Sequence, residues 1–156
     1  MDKELLKTGD KEIDGATKMQ FEKGYLWEVA LSRAFAEKEV PIYRVPEIKL
    51  DGIAMSPDGV QTIFDYSHEK VVEEYKCTSA SSSKSPADNW KWIMQVKGYC
   101  KAVGALKCIF RVFHIRDFVP VYNVWELVFT QAELDENWEA ILNHAKTMEK
   151  GMGHTL

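Results

Sequence analysis

Two acids and one amine near the middle of the chain stand out by type and spacing: Asp58, Glu74 and Lys76. Val71–Cys77 alternates as a strand, so Glu74 and Lys76, two residues apart, point to one face. Asp58 lies in the turn Ser56-Pro57-Asp58-Gly59, ahead of the β-type run Val60–Tyr66. A hairpin turning near Ser67–His68 pairs residues whose numbers sum to about 135, which sets Asp58 opposite the stretch Glu74 to Cys77. Two carboxylates and an ammonium then converge on one point. Hard oxygen ligands of this kind hold Mg²⁺, and the ion binds a scissile phosphate and polarises water. The lysine orients that water or neutralises developing charge.

An acid, any residue, then lysine is a weak signal alone, and it occurs a second time at Glu47-Ile48-Lys49. That copy has no acidic turn placed ahead of it. Asp51 is an alternative ligand to Asp58, but it falls beyond the end of the expected hairpin. Since alternate residues face opposite sides of a strand, Glu73 is expected to point outward where Glu74 points in.

Four segments occur in a telling order: Gly24-Tyr25-Leu26-Trp27-Glu28, Ser56-Pro57-Asp58-Gly59, Glu74-Tyr75-Lys76, and Trp92-Ile93-Met94-Gln95-Val96-Lys97-Gly98-Tyr99. Over roughly residues 19–116 this set resembles the PD-(D/E)XK nuclease superfamily, in particular its phage lambda-exonuclease-type branch of viral recombination exonucleases. The resemblance implies a metal-dependent deoxyribonuclease, with DNA as partner and Mg²⁺ or Mn²⁺ as cofactor. It makes Asp58, Glu74 and the backbone carbonyl of Tyr75 metal ligands and Lys76 the catalytic lysine. Glu28 completes the metal site directly or through water, and Gln95 is an accessory glutamine with Tyr99 one turn later on its face. Such an enzyme can act on double-stranded ends or single strands, alone, as a homo-oligomer or with a recombination partner protein. The alternatives are a structure-selective or single-strand endonuclease, and a nucleic-acid-binding domain that does not cleave.

Charge is distributed to suit that reading. The chain carries 20 basic and 24 acidic groups, yet residues 76–116 hold eight basic groups against one acid. A basic belt between acidic flanks suits a phosphate-binding face. Lys84, Lys91, Lys97 and Lys101 are the candidate phosphate contacts, with Ser79 and Ser81 as hydrogen-bond donors in the low-complexity loop 78–86, expected to be mobile. Trp90 and Trp92 are expected in the core, with base stacking as the alternative. The four histidines form no zinc pattern, no glycine-rich nucleotide loop appears, and the three scattered cysteines suit neither a disulfide framework nor an iron–sulfur site.

These residues need a scaffold. The chain of 156 residues is 46% apolar and 28% charged, which suits one globular domain. Residues 1–16 read as a loose lead-in. Helices are expected over about Met19–Glu37, from a cap at Asp88 to about Val103, and from the capping box Thr130–Glu133 to about Lys150. Strands are expected at Ile42–Val45, Ile48–Met55, Val60–Tyr66, Val71–Cys77, Leu106–Ile115 and Tyr122–Phe129. The fold class is α/β, a central mixed β-sheet flanked by helices, and the resemblance implies a restriction-endonuclease-like core ordered α-β-β-β-α-β. No apolar run is long enough to span a membrane, and the charged start Met1-Asp2-Lys3-Glu4 lacks a secretion signal core. A reducing cytoplasm, the host's if the chain is viral, is the expected location.

Overall fold

A computed structural model describes residues 7–8, 11–12, 14–63, 67–116 and 119–153. Within the lead-in, β1 (Lys7–Thr8) and β2 (Lys11–Glu12) form a small antiparallel ladder. The first helix, α1 (Gly15–Glu37), starts earlier than its apolar periodicity suggests, because the Asp14 side chain caps it by accepting from the Thr17 N–H at 2.8 Å.

Five strands make the main sheet: β3 (Ile42–Tyr43), β6 (Gly59–Thr62), β7 (Lys70–Thr78), β8 (Lys107–His114) and β9 (Val121–Val128), in the order β3-β6-β7-β8-β9. All neighbours run antiparallel except β7 and β8, which are parallel and joined through α2 (Trp90–Val103). The sheet is therefore mixed, as a crossover helix between parallel strands requires. A third helix, α3 (Gln131–Gly153), packs on α2. It begins at the expected box, where Thr130 N–H donates to Glu133 and the Glu133 N–H returns the bond.

Two local expectations change. Ile48–Met55 is a separate hairpin, β4 (Ile48–Leu50) and β5 (Ile53–Met55), rather than one strand. Asp51 and Gly52 both take positive φ, 49° and 80°, and make the tight reversal that an Asp-Gly pair favours. At the head of α2 the cap is Asn89, not Asp88. Asp88 instead closes a capping box with Ser85 around the short 3-10 turn Pro86–Asp88. Gly104, at φ 79°, ends α2 as expected.

Alternation along β7 and β8 sorts the two faces of the sheet. Val72, Cys108, Phe110 and Val112 join Val96, Tyr99 and Cys100 of α2 and Leu134 and Trp138 of α3 in the main core. The opposite face meets α1. There Trp27 stacks on Phe113 with ring centroids 4.8 Å apart, and Phe35 lies 6.2 Å from Tyr75. Each large apolar side chain fully buried in such a core contributes about 1.5–3 kcal/mol. That packing holds the middle of β7 rigid from both sides, and the candidate acids sit on that strand.

Candidate active site

β6 and β7 pair with Gly59 opposite Glu73 and Val60 opposite Val72. Partner numbers thus sum to 132 rather than about 135, and continuing the register by one residue sets Asp58 opposite Glu74. Part of the turn segment expected in the strand, residues 64–66, lies outside the described residues. Asp58 is held just past the strand end. Its Oδ2 accepts the Tyr75 backbone N–H at 2.7 Å, which fixes its carboxylate beside Glu74. Gly59, the next residue, lets β6 lie close to β3. A Cβ there would meet Ile42 Cγ2 at 2.7 Å, closer than side chains tolerate.

Glu74 and Lys76 share the α2 face of β7. Lys76 Nζ is ion-paired with Glu74 Oε1 at 2.6 Å and donates to Gln95 Oε1 at 3.1 Å. Gln95 in turn donates from Nε2 to the Tyr99 hydroxyl at 2.7 Å, so its amide orientation is set at both ends. The row Glu74–Lys76–Gln95–Tyr99 is one connected network across the strand and helix. Lys76 also lies over the Trp92 ring, 5.6 Å from its centroid. Tyr75 between them turns its side chain to the other face, toward Phe35 on α1.

Burial gives these acids unusual basicity. Asp58 is pushed up to about 6, first by burial and further by the charge of Glu28, against the Tyr75 N–H that favours its ionised form. Glu74 is pushed up to about 7 by burial and then by the charge of Asp58, with Lys76 opposing. Tyr99 is raised to about 12 by burial and by Glu74. Glu74 Oε2 is buried and has no hydrogen-bond partner.

Glu28 projects from α1 and pairs with Arg44 at 2.5 Å. Its charge bears on both Asp58 and Glu74, although it bonds to neither. Arg44 follows β3 and gives no motif signal, so it escapes sequence reading. Asp51 is elsewhere: its Oδ2 accepts Trp138 Nε1–H at 2.7 Å, tying the β4–β5 turn to α3.

Glu73 overturns the expectation that one of the paired acids faces solvent. It is 0% exposed on the α1 face, where Arg111 grips it with bonds of 2.6 and 3.1 Å. Arg111 also lies over the Phe35 ring and donates to the Tyr122 hydroxyl at 3.1 Å. A β-sheet covered on both faces buries both of two consecutive acids, and nothing in the local pattern of β7 announces Arg111 as the partner.

The basic belt is partly consumed by internal pairing. Lys76, Lys101, Lys107 and Arg111 all have acidic partners. Lys101 bonds Asp135 at 2.6 Å and Lys97 lies over the Phe129 ring, which turns both toward the start of α3. Lys84 and Lys91 line a groove beyond Lys76. Ser81 bonds Ser83 within the loop, and Ser79 takes no part in those bonds. The loop is not free: His114 Nδ1 meets the Ala80 carbonyl at 3.0 Å, and Asn123 donates to the Ser82 carbonyl at 3.0 Å.

Two carboxylates with hard oxygens, one carrying an unpartnered buried oxygen and both resisting ionisation chiefly because they are buried, form a donor set that fits a small divalent cation. Among the described residues no three His, Cys, Asp or Glu side chains converge as a cage. Mg²⁺ is commonly bound by one or two carboxylates, with waters and substrate phosphate completing its shell.

No family model matches the chain, and no curated protein matches it. Solved structures do. An alkaline exonuclease, LHK-Exo, from Laribacter hongkongensis superposes with a TM-score of 0.55 at 17% identity, covering 92% of this chain and 75% of that one. The same exonuclease in complex with dAMP gives 0.57 at 19% identity with the same coverage. SSO0001 gives 0.51 at 16% identity over 74% of this chain, which spans only 56% of that protein. The chain shares the fold of these proteins. No helix among the described residues is long and apolar enough to cross a membrane.

Proposed function

We propose that this chain is a Mg²⁺- or Mn²⁺-dependent deoxyribonuclease of the PD-(D/E)XK type, an exonuclease serving phage or prophage recombination and repair. The observation that carries the proposal is the junction of Asp58, Glu74 and Lys76 at the end of the β6–β7 pair, with Glu74 Oε2 left unpartnered. The fold shared with an alkaline exonuclease, which also binds dAMP, supports it.

In this reading Asp58 and Glu74 hold the cation, with the Tyr75 carbonyl adding a ligand and Glu28 contributing negative charge from α1. When bound, the ion supplies Lewis-acid polarisation of the scissile phosphate and acidifies a water. The chain's own groups do the rest. Asp58 is kept in place by the Tyr75 N–H. Of the three Lys76 donors, two are spoken for by Glu74 and Gln95, and the third is available to a phosphate oxygen or the attacking water. Gln95 and Tyr99 stop Lys76 from swinging into solvent, which keeps that donor at one point while charge builds on phosphorus. Burial of Glu74 between β7 and α2 leaves its pairing with Lys76 less screened than a surface pair would be.

The test is purified protein with Mg²⁺ or Mn²⁺ on end-labelled linear DNA and on covalently closed DNA. Degradation of the linear form only, stopped by EDTA, supports the exonuclease. Cutting of the closed circle identifies an endonuclease, and no cutting of either rejects the nuclease.

A further inference from the structure

A groove of about 410 Å³ opens directly beyond Lys76. Thr78, two residues on from Lys76 along β7, and Trp92, over which Lys76 lies, form its near end. Lys84, Trp90 and Lys91 line the rest. Trp90 was expected in the core, but it is 64% exposed. Trp92 is the packed one, stacked at 6.2 Å on Phe110.

Three observations together mark this groove as built for a ligand. Trp90 is largely exposed, and Lys91 Nζ lies over its ring 5.7 Å from the centroid, so a cation covers one side of an indole whose remaining surface is open. Neither Lys84 nor Lys91 pairs with an acid among the described residues, and the exposed acid on the wall, Asp88, accepts the Ser85 N–H. The wall itself is fixed in place: His114, 5% exposed, holds the Ala80 carbonyl through Nδ1, and its buried Nε2 has no partner. An exposed tryptophan on a rigid wall has shed the cover that folding gives most aromatics, and the charge beside it is positive.

We infer that this groove holds an unpaired stretch of nucleic acid next to the cleaved bond, with one base stacked on Trp90 and the flanking phosphates met by Lys84 and Lys91. The inference rests on the nuclease reading for its position beside the cleaved bond. Stacking requires a base whose face is bare. Inside a duplex both faces are covered by neighbouring pairs, so the platform favours a single strand. The groove begins at Thr78, four residues along β7 from Glu74 and so about 13 Å from it at the rise of a strand, and a nucleic-acid strand lying in it continues toward the Asp58–Glu74 pair. Trp90 in this role is a binding residue that selects strand state, not a catalytic one.

The test measures binding with Ca²⁺ in place of Mg²⁺, using a labelled single-stranded oligonucleotide and a blunt duplex of the same sequence. Wild type, Trp90→Ala, Trp90→Phe and the double variant Lys84→Ala/Lys91→Ala are compared, with circular dichroism to verify folding. Expected is a loss of single-strand affinity of about 5- to 100-fold for Trp90→Ala, recovery to within about threefold in Trp90→Phe, and little change for the duplex. The lysine double variant should flatten the salt dependence of single-strand binding by up to about two phosphate contacts. Equal single-strand affinity of wild type and Trp90→Ala, or an equal loss for the duplex, overturns the inference. Cleavage is scored separately on wild type with Mn²⁺, so a protein that binds through Trp90 but never cuts refutes the nuclease reading and leaves the groove standing.

Discussion

Asp58 Oδ2 takes the backbone N–H of Tyr75 at 2.7 Å, across the end of the β6–β7 pair. This bond places a carboxylate from a turn beside Glu74, on the neighbouring residue of β7, without using either side chain to hold the other. It also separates Asp58 from Asp51, whose carboxylate is spent on Trp138. The two aspartates therefore respond differently to the same change. Asp58→Asn should reduce cleavage by at least about 100-fold, in line with loss of a group acting on the reacting phosphate. Asp51→Asn keeps an acceptor for Trp138 and tolerates the positive φ at that position, so cleavage should stay within about twofold. Initial rates on linear DNA compare them directly.

The acid pair makes the metal-free protein sensitive to pH. Asp58 and Glu74 ionise in the folded state at about 6 and about 7, above their ordinary values of 3.8 and 4.5. The folded chain therefore holds more protons than the unfolded chain between those limits. The stability these groups contribute is fully present below about pH 4 and is lost as pH rises through about 6 to 7. Thermal melts in EDTA should show a lower Tm at pH 8 than at pH 5.5 on this account, and Glu74→Gln should remove much of the difference. A cation reverses the trend, since binding releases protons. Mn²⁺ affinity should rise between pH 5.5 and 8, with proton release measured by calorimetry in two buffers of different ionisation enthalpy.

On the other face of β7, Glu73 and Arg111 form a buried pair whose halves are not separable. Arg111→Met leaves the fully buried Glu73 without its counter-charge and should cost about 3–5 kcal/mol in urea unfolding. Glu73→Gln combined with Arg111→Met should recover most of that loss, because no lone charge remains. Equal destabilisation in the single and double variants would argue that the pair contributes through Arg111 packing on Phe35 instead.

Gly59 carries the close approach of β6 to β3. Gly59→Ala introduces a methyl at 2.7 Å from Ile42 Cγ2, so the Ile42 side chain or its strand has to shift. A cost of about 1–3 kcal/mol is expected, together with a fall in cleavage larger than the stability loss explains, because Asp58 is the next residue. Thermal melts and rates on the same preparation separate the two effects.

Much of this arrangement was readable in the residues. Strand alternation put Glu74 and Lys76 on one face, and the turn at Ser56–Gly59 brought Asp58 opposite them even though the register was off by three. The helical spacing of Gln95 and Tyr99 put both on the face that meets Lys76. The hidden parts depend on partners distant in sequence. Arg111 is 38 residues from Glu73 and announces nothing by itself. The Asp51-Gly52 reversal is different: it is a local hairpin signal inside a stretch whose Ile48, Leu50, Ile53 and Met55 read as one strand. Loop 78–86 reads as flexible from its serines, yet two side chains from β8 and β9, His114 and Asn123, pin its backbone. Composition reports what a segment can do alone, not what reaches it from elsewhere.

The most direct measurement of the central claim is cleavage of end-labelled linear DNA with Mn²⁺ by wild type beside folded Glu74→Gln and Lys76→Ala. Wild type should degrade the DNA, EDTA should stop it, and each variant should lose at least about 100-fold in rate. Degradation by either variant at the wild-type rate, or none by wild type at any divalent concentration, would contradict the assignment of that cluster as a nuclease centre.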